Sequence, residues 1–346
     1  MSIRHVPLKT GKPGARRPRL LDVASAAGVS TMTVVRVLRE PTKVAARTRE
    51  RVEEVIRVTG YTPDLIARGL ASNRSGLIAA VIPVLTNSLI AEIMQGLTDA
   101  LAPQGFHLLL GASGFSTAEE EVLVRAFLSR RVDGIYLSGV DHTLDTMRML
   151  KRSGIPVVEG GNITAHPIDM LVGFSNVDAA RTITRYLVRQ RYAPIGYIGA
   201  FPKDNDRARD RRQGYELAMQ TARLPSDPAL CVETTLDIDA GARAMAVLLA
   251  RRPGVRAVFC SADALAVGAL YECQRHALAI PADIAIAGFD DIPIAGQVVP
   301  SLTTIRVPRY DIGRRAGLML GDRLAGRTVR KRIVDTGFEL VPRDSA

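Results

Sequence analysis

The chain has 346 residues, 47% of them hydrophobic, and a formal net charge of +11. This length favours two or three compact units with sizeable cores. Its three cysteines lack metal-ligand spacing, which argues against a disulfide scaffold and indicates a reducing compartment. Neither a secretory signal nor an apolar run of about 20 residues is present. We therefore expect a cytoplasmic protein with no membrane partner, and no motif calls for a cofactor.

The positive charge is concentrated at one end of the chain. Residues 1–74 hold 15 Lys/Arg against 6 Asp/Glu, whereas the remaining residues hold 31 against 29. A basic segment favours phosphate binding because binding releases counterions. Part of this charge lies in residues 1–18, a Pro/Gly-rich stretch without periodicity that we expect to be a disordered basic tail.

Residues 20–38 are predicted to form two short helices joined by a tight turn. Gly28 would accommodate a positive φ in the turn, and Ser30 would cap the second helix. The apolar positions expected to face inward are Leu21, Val23, Ala24, Ala27, Val34, Val37 and Leu38. The positions left facing outward are Thr31, Met32, Thr33 and Arg36. This pattern is typical of a helix-turn-helix that enters the major groove, although a helical hairpin within an ordinary core would also fit.

A third helix is predicted over residues 45–59, where Gly60 ends it. Its apolar side would consist of Val52, Val55, Ile56 and Val58. With the hairpin it would complete a DNA-binding headpiece at residues 19–62. Residues 63–75 are predicted to be a short helix and a linker.

From residue 77 onward, apolar β-rich runs alternate with amphipathic helical stretches. A first series of strands is predicted to start at residue 77, and a second at residue 170. Near-continuous apolar strands, each followed by a helix, predict an α/β fold with parallel sheets covered on both faces. Ligands of such sheets bind at the carboxyl ends of the strands, so the residues just after each strand are the candidate contacts.

Three stretches carry a resemblance to a known family: residues 20–38 (LLDVASAAGVSTMTVVRVL), 48–63 and 65–71. They resemble the lactose-repressor/galactose-repressor (LacI/GalR) family of transcriptional regulators. The likeness continues at residues 155–158, 259–268, 286–291 and 302–305. Within the family, stretches such as VLTNSLIAEIMQGL and IAGFDDIPIAGQ look most like regulators of gluconate utilisation.

The resemblance implies a helix-turn-helix headpiece followed by a two-lobed, periplasmic-binding-protein-like core at residues 76–346. The first lobe would comprise about 76–174 plus 306–335, and the second about 175–305 plus 336–344. We expect a homodimer that binds double-stranded operator DNA and a small-molecule effector. No heptad segment follows Pro342, so a tetramer through a terminal coiled coil is not expected.

The resemblance also implies which residues contact DNA. They are Thr31, Met32, Thr33 and Arg36 at the bases, Thr48 and Arg49 at the backbone, and Leu70 as a minor-groove wedge. Leu70 could instead pack on the core from a surface linker. The chain departs from the family at Val35, where Ser is usual, and at Asp64, where Asn is usual. Val35 removes a phosphate hydrogen bond. Residues 64–72 resemble the family's hinge helix, which enters the minor groove, and Asp64 places a carboxylate near phosphate at its start.

Residues 206–212 form a basic run at the start of a helix that follows the strand at 194–200. Arg211 falls where the family places a sugar-gripping arginine, and Arg207 lies one turn earlier on the same side. Two guanidinium groups suit a carboxylate or a phosphate, which favours a sugar acid as the effector. A solvated helix face is the alternative, and we assign it to Arg209 and Arg212.

The other candidate effector contacts follow strands. They are Asn87, Glu159, Phe174, Ser261, Phe289 and Asp290. Asp290 resembles the acidic residue that accepts sugar hydroxyls, whereas the two phenylalanines could equally be cleft packing. Ala262 replaces a usual Asn, and Ser261 could partly substitute for it. We expect Asp263 to cap the helix that follows.

No enzyme motif is present, and the five histidines are scattered without ligand spacing. We therefore expect a repressor of a sugar-acid operon, released by a gluconate-like effector, and no enzyme. The alternatives are a regulator that responds to a neutral sugar or a purine, a sugar-binding transport protein, and an architectural DNA binder.

Overall fold

The computed structural model describes residues 18–62, 74–85, 88–201, 203, 205–225 and 227–346. The chain divides into two compact units, Met1–Ser75 and Gly76–Ala346. Several predictions fall outside the described residues. They are the basic tail up to residue 17, the short helix with Asp64 and Leu70, and Asn87.

The first unit contains the three predicted helices, α1 (Leu20–Ala27), α2 (Thr31–Arg39) and α3 (Ala46–Thr59). Gly28 and Gly60 end α1 and α3 with φ angles of 63° and 64°. The Ser30 side chain accepts a hydrogen bond from the Thr33 N–H at 3.1 Å, which confirms the predicted cap. The small core consists of Val23, Ala24, Ala27, Val34, Val37 and Val52.

Three residues predicted to face this core are exposed instead. Leu21 is 64% exposed, Val58 50% and Leu38 36%. In α1 the buried stripe follows the i, i+3, i+4, i+7 pattern that begins at Leu20, so Leu21 lies to one side of it. Val58 and Leu38 lie near the ends of their helices, beyond the reach of a core made by only three short helices.

The second unit alternates strands and helices. Its helices are α4 (Ser88–Leu101), α5 (Thr117–Ser129), α6 (Leu144–Ser153), α7 (Asn176–Arg189), α8 (Asp206–Thr221), α9 (Ile238–Arg251), α10 (Asp263–Arg275) and α11 (Arg309–Leu324). Its strands are β1 (Leu77–Ile82), β2 (His107–Ala112), β3 (Gly134–Ser138), β4 (Val157–Gly160), β5 (Met170–Gly173), β6 (Ile195–Ala200), β7 (Cys231–Thr234), β8 (Ala257–Cys260), β9 (Ala285–Ala287), β10 (Thr304–Arg306), β11 (Ile333–Asp335) and β12 (Glu339–Val341).

These strands form two parallel sheets and one antiparallel pair. The first sheet has the order β11-β5-β4-β3-β1-β2, the second has the order β7-β6-β8-β9, and β10 pairs with β12. The fold class is therefore as predicted. The expectation that a second series starts at residue 170 is wrong, because β5 pairs with β4 and β11 in the first sheet. Both faces of β5 are buried, and an apolar run of this kind does not reveal which sheet it joins.

The strands β4, β5, β6, β8 and β9 are buried on both faces, as in apolar parallel sheets covered by helices, whereas the edge strand β2 is partly exposed. On one face of the first sheet, Val81, Ile135 and Val157 pack with Val124 and Phe127 of α5. The opposite face packs on α4 and α11. These two helices approach closely at Gly313, where a Cβ atom would lie 1.8 Å from the Ile93 carbonyl oxygen. Among the described helices, no single one is long and apolar enough to cross a membrane.

Candidate functional site

A small open pocket lies beyond the carboxyl ends of β1, β2 and β3. In the first sheet β1 lies between β3 and β2, so the strand order reverses here, which is where ligands of open α/β sheets bind. The pocket is lined by Pro83, Ser113, Phe115, Ser116, Thr117, Glu120, Ser138, Gly139, Asp141, Asp206 and Arg207. Only Arg207 among these was a predicted contact. The others could have been found by the same rule, because most of them follow strands directly.

Arg207 lies in the first turn of α8, where Asn205 caps the helix by accepting from the Ala208 N–H at 3.1 Å. Its Nη1 donates to the Ser138 Oγ at 2.8 Å, and its Cζ lies 5.9 Å from the Phe115 ring centroid. Within the described residues its Nη2 makes no hydrogen bond. Its Nε lies 3.5 Å from Asp206 Oδ1, so the Nη2 group is the part of this guanidinium that remains available to an anion in the pocket.

Arg211 lies one turn further along α8 and is fully engaged. Its Nε donates to Asn176 Oδ1 at 2.9 Å, and its Nη1 donates to the Ser261 carbonyl oxygen at 2.7 Å. Its Nη2 lies 3.5 Å from Asp290 Oδ1, and its Cζ lies 3.8 Å from the centroid of the Phe289 ring. Burial lowers the pKa of Arg211, and the Asp290 carboxylate opposes this effect. Arg211 thus joins the ends of the second-sheet strands to the start of α7.

Asp290 and two aromatic residues lie under Arg211. The strand predicted to run directly up to Asp290 ends at Ala287, and Asp290 lies in a turn with a φ of 113°. Burial raises the pKa of Asp290, while Arg211 and Arg309 lower it. Phe289 and Phe174 are buried, and their ring centroids lie 6.3 Å apart. Both rings therefore pack in the core, and their contact with an effector stays a prediction.

Asn162 connects α8 to the loops of the first sheet. Its Nδ2 donates to Asp206 Oδ2 at 3.0 Å and to Asp210 Oδ2 at 2.8 Å. Asp206 Oδ2 also accepts from the Val140 N–H at 3.1 Å. Burial raises the pKa of Asp206, but Arg207 and these hydrogen bonds outweigh it and lower the pKa overall. The sequence analysis missed this bridge, whose partners are 44 or more residues apart along the chain.

Glu159 does not line the pocket. Its Oε1 lies 3.3 Å from His142 Nε2, and its Oε2 accepts from the Ile168 N–H at 2.5 Å. The other ring nitrogen of His142, Nδ1, lies 2.6 Å from Glu120 Oε1. Burial lowers the pKa of His142, but hydrogen bonds and charges of Glu120 and Glu159 outweigh it and raise the pKa to about 9. His142 is therefore a buried residue paired with two carboxylates.

The expectation that Asp263 caps α10 is also wrong. Asp263 is the first helical residue, and α10 has no side-chain cap. Its carboxylate instead accepts from Thr304 Oγ1 at 2.6 Å and from the Ile292 N–H at 2.9 Å. Burial and the charge of Asp290 raise the pKa of Asp263 to about 7. Next to it, the buried Ser261 Oγ accepts from the Ala200 N–H at 3.3 Å, and Ala262 precedes the helix.

The predicted DNA-reading face of α2 is open. Met32 is 66% exposed and Arg36 is exposed, while Val34 on the opposite side is fully buried. Thr33 Oγ1 lies 2.9 Å from Ser30 Oγ, so the cap residue also orients this side chain. Thr48 and Arg49 lie in the first turn of α3, where Arg49 Nε is 3.9 Å from Glu53.

Both units of the chain are similar to known protein families. Residues 19–64 match the model of bacterial regulatory proteins of the lacI family, and residues 184–346 match that of a periplasmic binding protein-like domain. The transcriptional regulator GntR of Pseudomonas aeruginosa is 37% identical over 331 residues, 95% of this chain and 96% of that protein. GntR of Escherichia coli K12 is 34% identical over 327 residues, 94% and 98% of the two chains.

A solved structure gives the same result. The crystal structure of a LacI-family transcriptional regulator from Silicibacter pomeroyi superposes with a TM-score of 0.88 at 29% identity, covering 95% of this chain and 99% of that one. These relatives are transcriptional regulators, and the similarity to them extends over nearly the whole sequence, from the helix-turn-helix unit through the two-sheet core. The chain therefore belongs to the LacI family of DNA-binding bacterial transcriptional regulators and is not an enzyme.

Proposed function

We propose that this regulator is a homodimeric, cytoplasmic repressor that leaves its operator when a sugar acid such as gluconate binds in the pocket at the ends of β1, β2 and β3. In this proposal Thr31, Met32, Thr33 and Arg36 read bases, and Thr48 and Arg49 contact phosphates. Leu70 acts as the minor-groove wedge. A dimer of such headpieces requires a near-palindromic operator.

The observation that supports a sugar acid most directly is the unengaged Nη2 group of Arg207. A guanidinium N–H forms a strong, charge-assisted hydrogen bond to a carboxylate. The pocket also includes Ser116 and Thr117 at the N-terminus of α5, where the helix dipole favours an anion. Hydroxyl and carboxylate groups of Ser113, Ser138 and Asp141 suit the hydroxyls of a polyhydroxylated ligand. A ligand with both groups uses the whole pocket.

The same geometry supports a coupling between ligand binding and the arrangement of the two sheets. Arg207 and Asp206 both bond to the loop after β3, through Ser138 and Val140, although they belong to a helix that packs on the second sheet. A ligand carboxylate on Arg207 changes the strength of this connection and therefore the relative stability of two arrangements of the sheets. Allosteric coupling of this kind is worth about 1–3 kcal/mol.

The test is operator release by full-length protein, followed as fluorescence anisotropy of a labelled DNA selected from a random pool. Wild-type protein should release the DNA with gluconate, and Arg207→Gln should need at least about tenfold more, because a charged hydrogen bond is lost. Arg212→Gln is the matched control, since Arg212 lies on the same helix but bonds to Glu216 at 2.9 Å.

Two results would contradict the proposal. Release by a neutral sugar or a purine, with no response to gluconate or related acids, would reject the sugar-acid ligand. Equal sensitivity of Arg207→Gln and Arg212→Gln to gluconate would place the anion elsewhere.

A further inference from the structure

Three consecutive glutamates at the start of α5 have three different environments. Glu119 is exposed, and Glu121 Oε2 accepts from Thr143 Oγ1 at 2.7 Å. Glu120, between them, is only 6% exposed and lines the pocket. It lies one turn after the cap residue Ser116, whose carbonyl oxygen accepts the Glu120 N–H at 3.0 Å, so both residues share the helix face directed at the pocket.

His142 orients the Glu120 side chain. Its Nδ1 lies 2.6 Å from Glu120 Oε1, and its Nε2 lies 3.3 Å from Oε1 of Glu159 in β4. Glu159 is in turn fixed by the Ile168 N–H. The imidazole thus has both nitrogens engaged and a single orientation. Through it the rigid strand β4 sets the position of the Glu120 carboxylate.

The second oxygen of Glu120, Oε2, accepts no hydrogen bond from the residues that the structure describes. A carboxylate oxygen on a pocket wall accepts hydrogen bonds from whatever occupies the pocket, either water or a ligand. Arg207 lines the same pocket and already supplies the group that binds a ligand carboxylate. The donor that suits Glu120 is therefore a hydroxyl, which hydrogen-bonds to a carboxylate strongly and with defined direction.

We propose that Glu120 binds one hydroxyl group of the effector and that His142, anchored by Glu159, is its positioning residue. This inference deepens the proposed function and rests on its pocket. It gives the buried pair a role in specificity: the carboxylate of the ligand goes to Arg207, and one particular hydroxyl goes to Glu120. A polyhydroxylated acid that lacks or inverts this hydroxyl is a poor effector.

Protonation of His142 limits the negative charge that the cluster presents to the pocket. Since the raised pKa keeps His142 protonated at neutral pH, the imidazolium offsets one of its two carboxylate neighbours. Glu120 can then accept a hydroxyl without presenting a full uncompensated charge to a ligand carboxylate nearby.

The experiment is calorimetric titration of the full-length protein with gluconate and with its 2-, 3-, 4- and 5-deoxy analogues. In the wild type one analogue should lose at least about tenfold in affinity, as expected for a hydrogen bond to a charged group. The Glu120→Gln variant should bind gluconate with an affinity reduced by a similar factor. In this variant, removing the same hydroxyl from the ligand should reduce the affinity little further. Glu119→Gln, the adjacent exposed glutamate, should match the wild type throughout.

His142→Gln tests the positioning role. This variant should show a smaller difference in affinity between gluconate and the analogue that lacks the same hydroxyl. A purely structural defect would instead reduce the affinity for gluconate and for all analogues equally. Melting curves without ligand identify any variant that fails to fold, and the analogue series on wild-type protein needs no variant at all. Equal losses across the deoxy series, or gluconate binding by Glu120→Gln within twofold of wild type, would overturn the inference.

The two proposals can fail separately. If the wild type binds gluconate but Glu120→Gln distinguishes gluconate from the deoxy analogues as the wild type does, only the hydroxyl contact is wrong. If the wild type binds D-glucose and not gluconate, the sugar-acid assignment is wrong, and the deoxyglucose series with Glu120→Gln then decides the role of Glu120. If neither binds, both proposals are rejected.

Discussion

The DNA-reading helix and the effector pocket solve opposite problems. On α2, Met32 and Arg36 project from one short helix whose other side is buried, so local periodicity alone exposes them. In the pocket, Asp206 is held by Asn162 and Val140, and Arg207 by Ser138, which lie 44, 66 and 69 residues away. A surface made by one helix is a property of its own sequence, whereas a pocket made by two sheets is a property of the assembled fold. Substitutions should therefore act locally in the first unit and across the network in the second.

The largest expected effect concerns the close contact between α4 and α11. Gly313→Ala would place a methyl group against the Ile93 carbonyl oxygen, and both partners are backbone that cannot yield easily. We expect a loss of about 3 kcal/mol in the free energy of unfolding, measured by urea denaturation. Gly254→Ala, which meets nothing within 4 Å, is the control. Equal midpoints for the two variants would show that the helices separate at little cost.

The next effect is a pH dependence carried by His142. Its pKa is raised from the ordinary value of 6.5 to about 9 in the folded protein by the hydrogen bonds and charges of Glu120 and Glu159, which outweigh burial. A raised pKa stabilises the fold fully below about pH 6.5, and this contribution disappears as the pH rises through 9. The wild type should therefore lose on the order of 2 kcal/mol more than His142→Gln between these limits.

The comparison of the two proteins cancels other titrations, such as that of Asp263, which lies outside this cluster. His276→Gln, at an exposed histidine, should follow the wild type. Parallel stability curves for the wild type and His142→Gln would mean that the imidazole between Glu120 and Glu159 is neutral.

A smaller effect is expected at the DNA surface. Arg36→Ala should weaken specific operator binding about tenfold, since a good contact between a side chain and a base is worth about 1–3 kcal/mol. Non-specific DNA affinity should change much less. Arg57→Ala removes the same charge from α3, where Arg57 Nε donates to Glu54 at 2.9 Å, and should cost no more than about twofold. Equal specific losses would reject α2 as the recognition helix.

The smallest effect should be confined to the first unit. Ser30→Ala removes the cap of α2 and should destabilise this helix by about 1 kcal/mol. Hydrogen exchange followed by mass spectrometry should show faster exchange in peptides from residues 28–38. Peptides from the second unit should be unchanged, and a comparable acceleration there would contradict the local character of the headpiece.

These differences explain what the sequence could predict. The helices, the strands and the cap at Ser30 follow from short-range periodicity and turn chemistry, which few residues encode. The start of α8 and the position of Arg207 were also accessible, because a basic run follows an apolar strand. By contrast, the apolar pattern did not reveal the sheet to which β5 belongs. Strand pairing decides it, with β4 on one side and with β11, some 160 residues later, on the other. His142 gains its neighbours only when α5 and β4 come together, so no spacing rule could reveal them.

The first turn of α8 has a consequence for engineering new ligand responses. Asp206 and Arg207 both line the pocket and tie the helix to the loop after β3. A biosensor designer who replaces Arg207 to accept a neutral ligand therefore also resets the basal level of expression. Glu120 lies on a helix of the first sheet and bonds to His142 from the same side. Libraries that vary the face of α5 should change ligand choice while the uninduced state stays constant, and they are the better starting point.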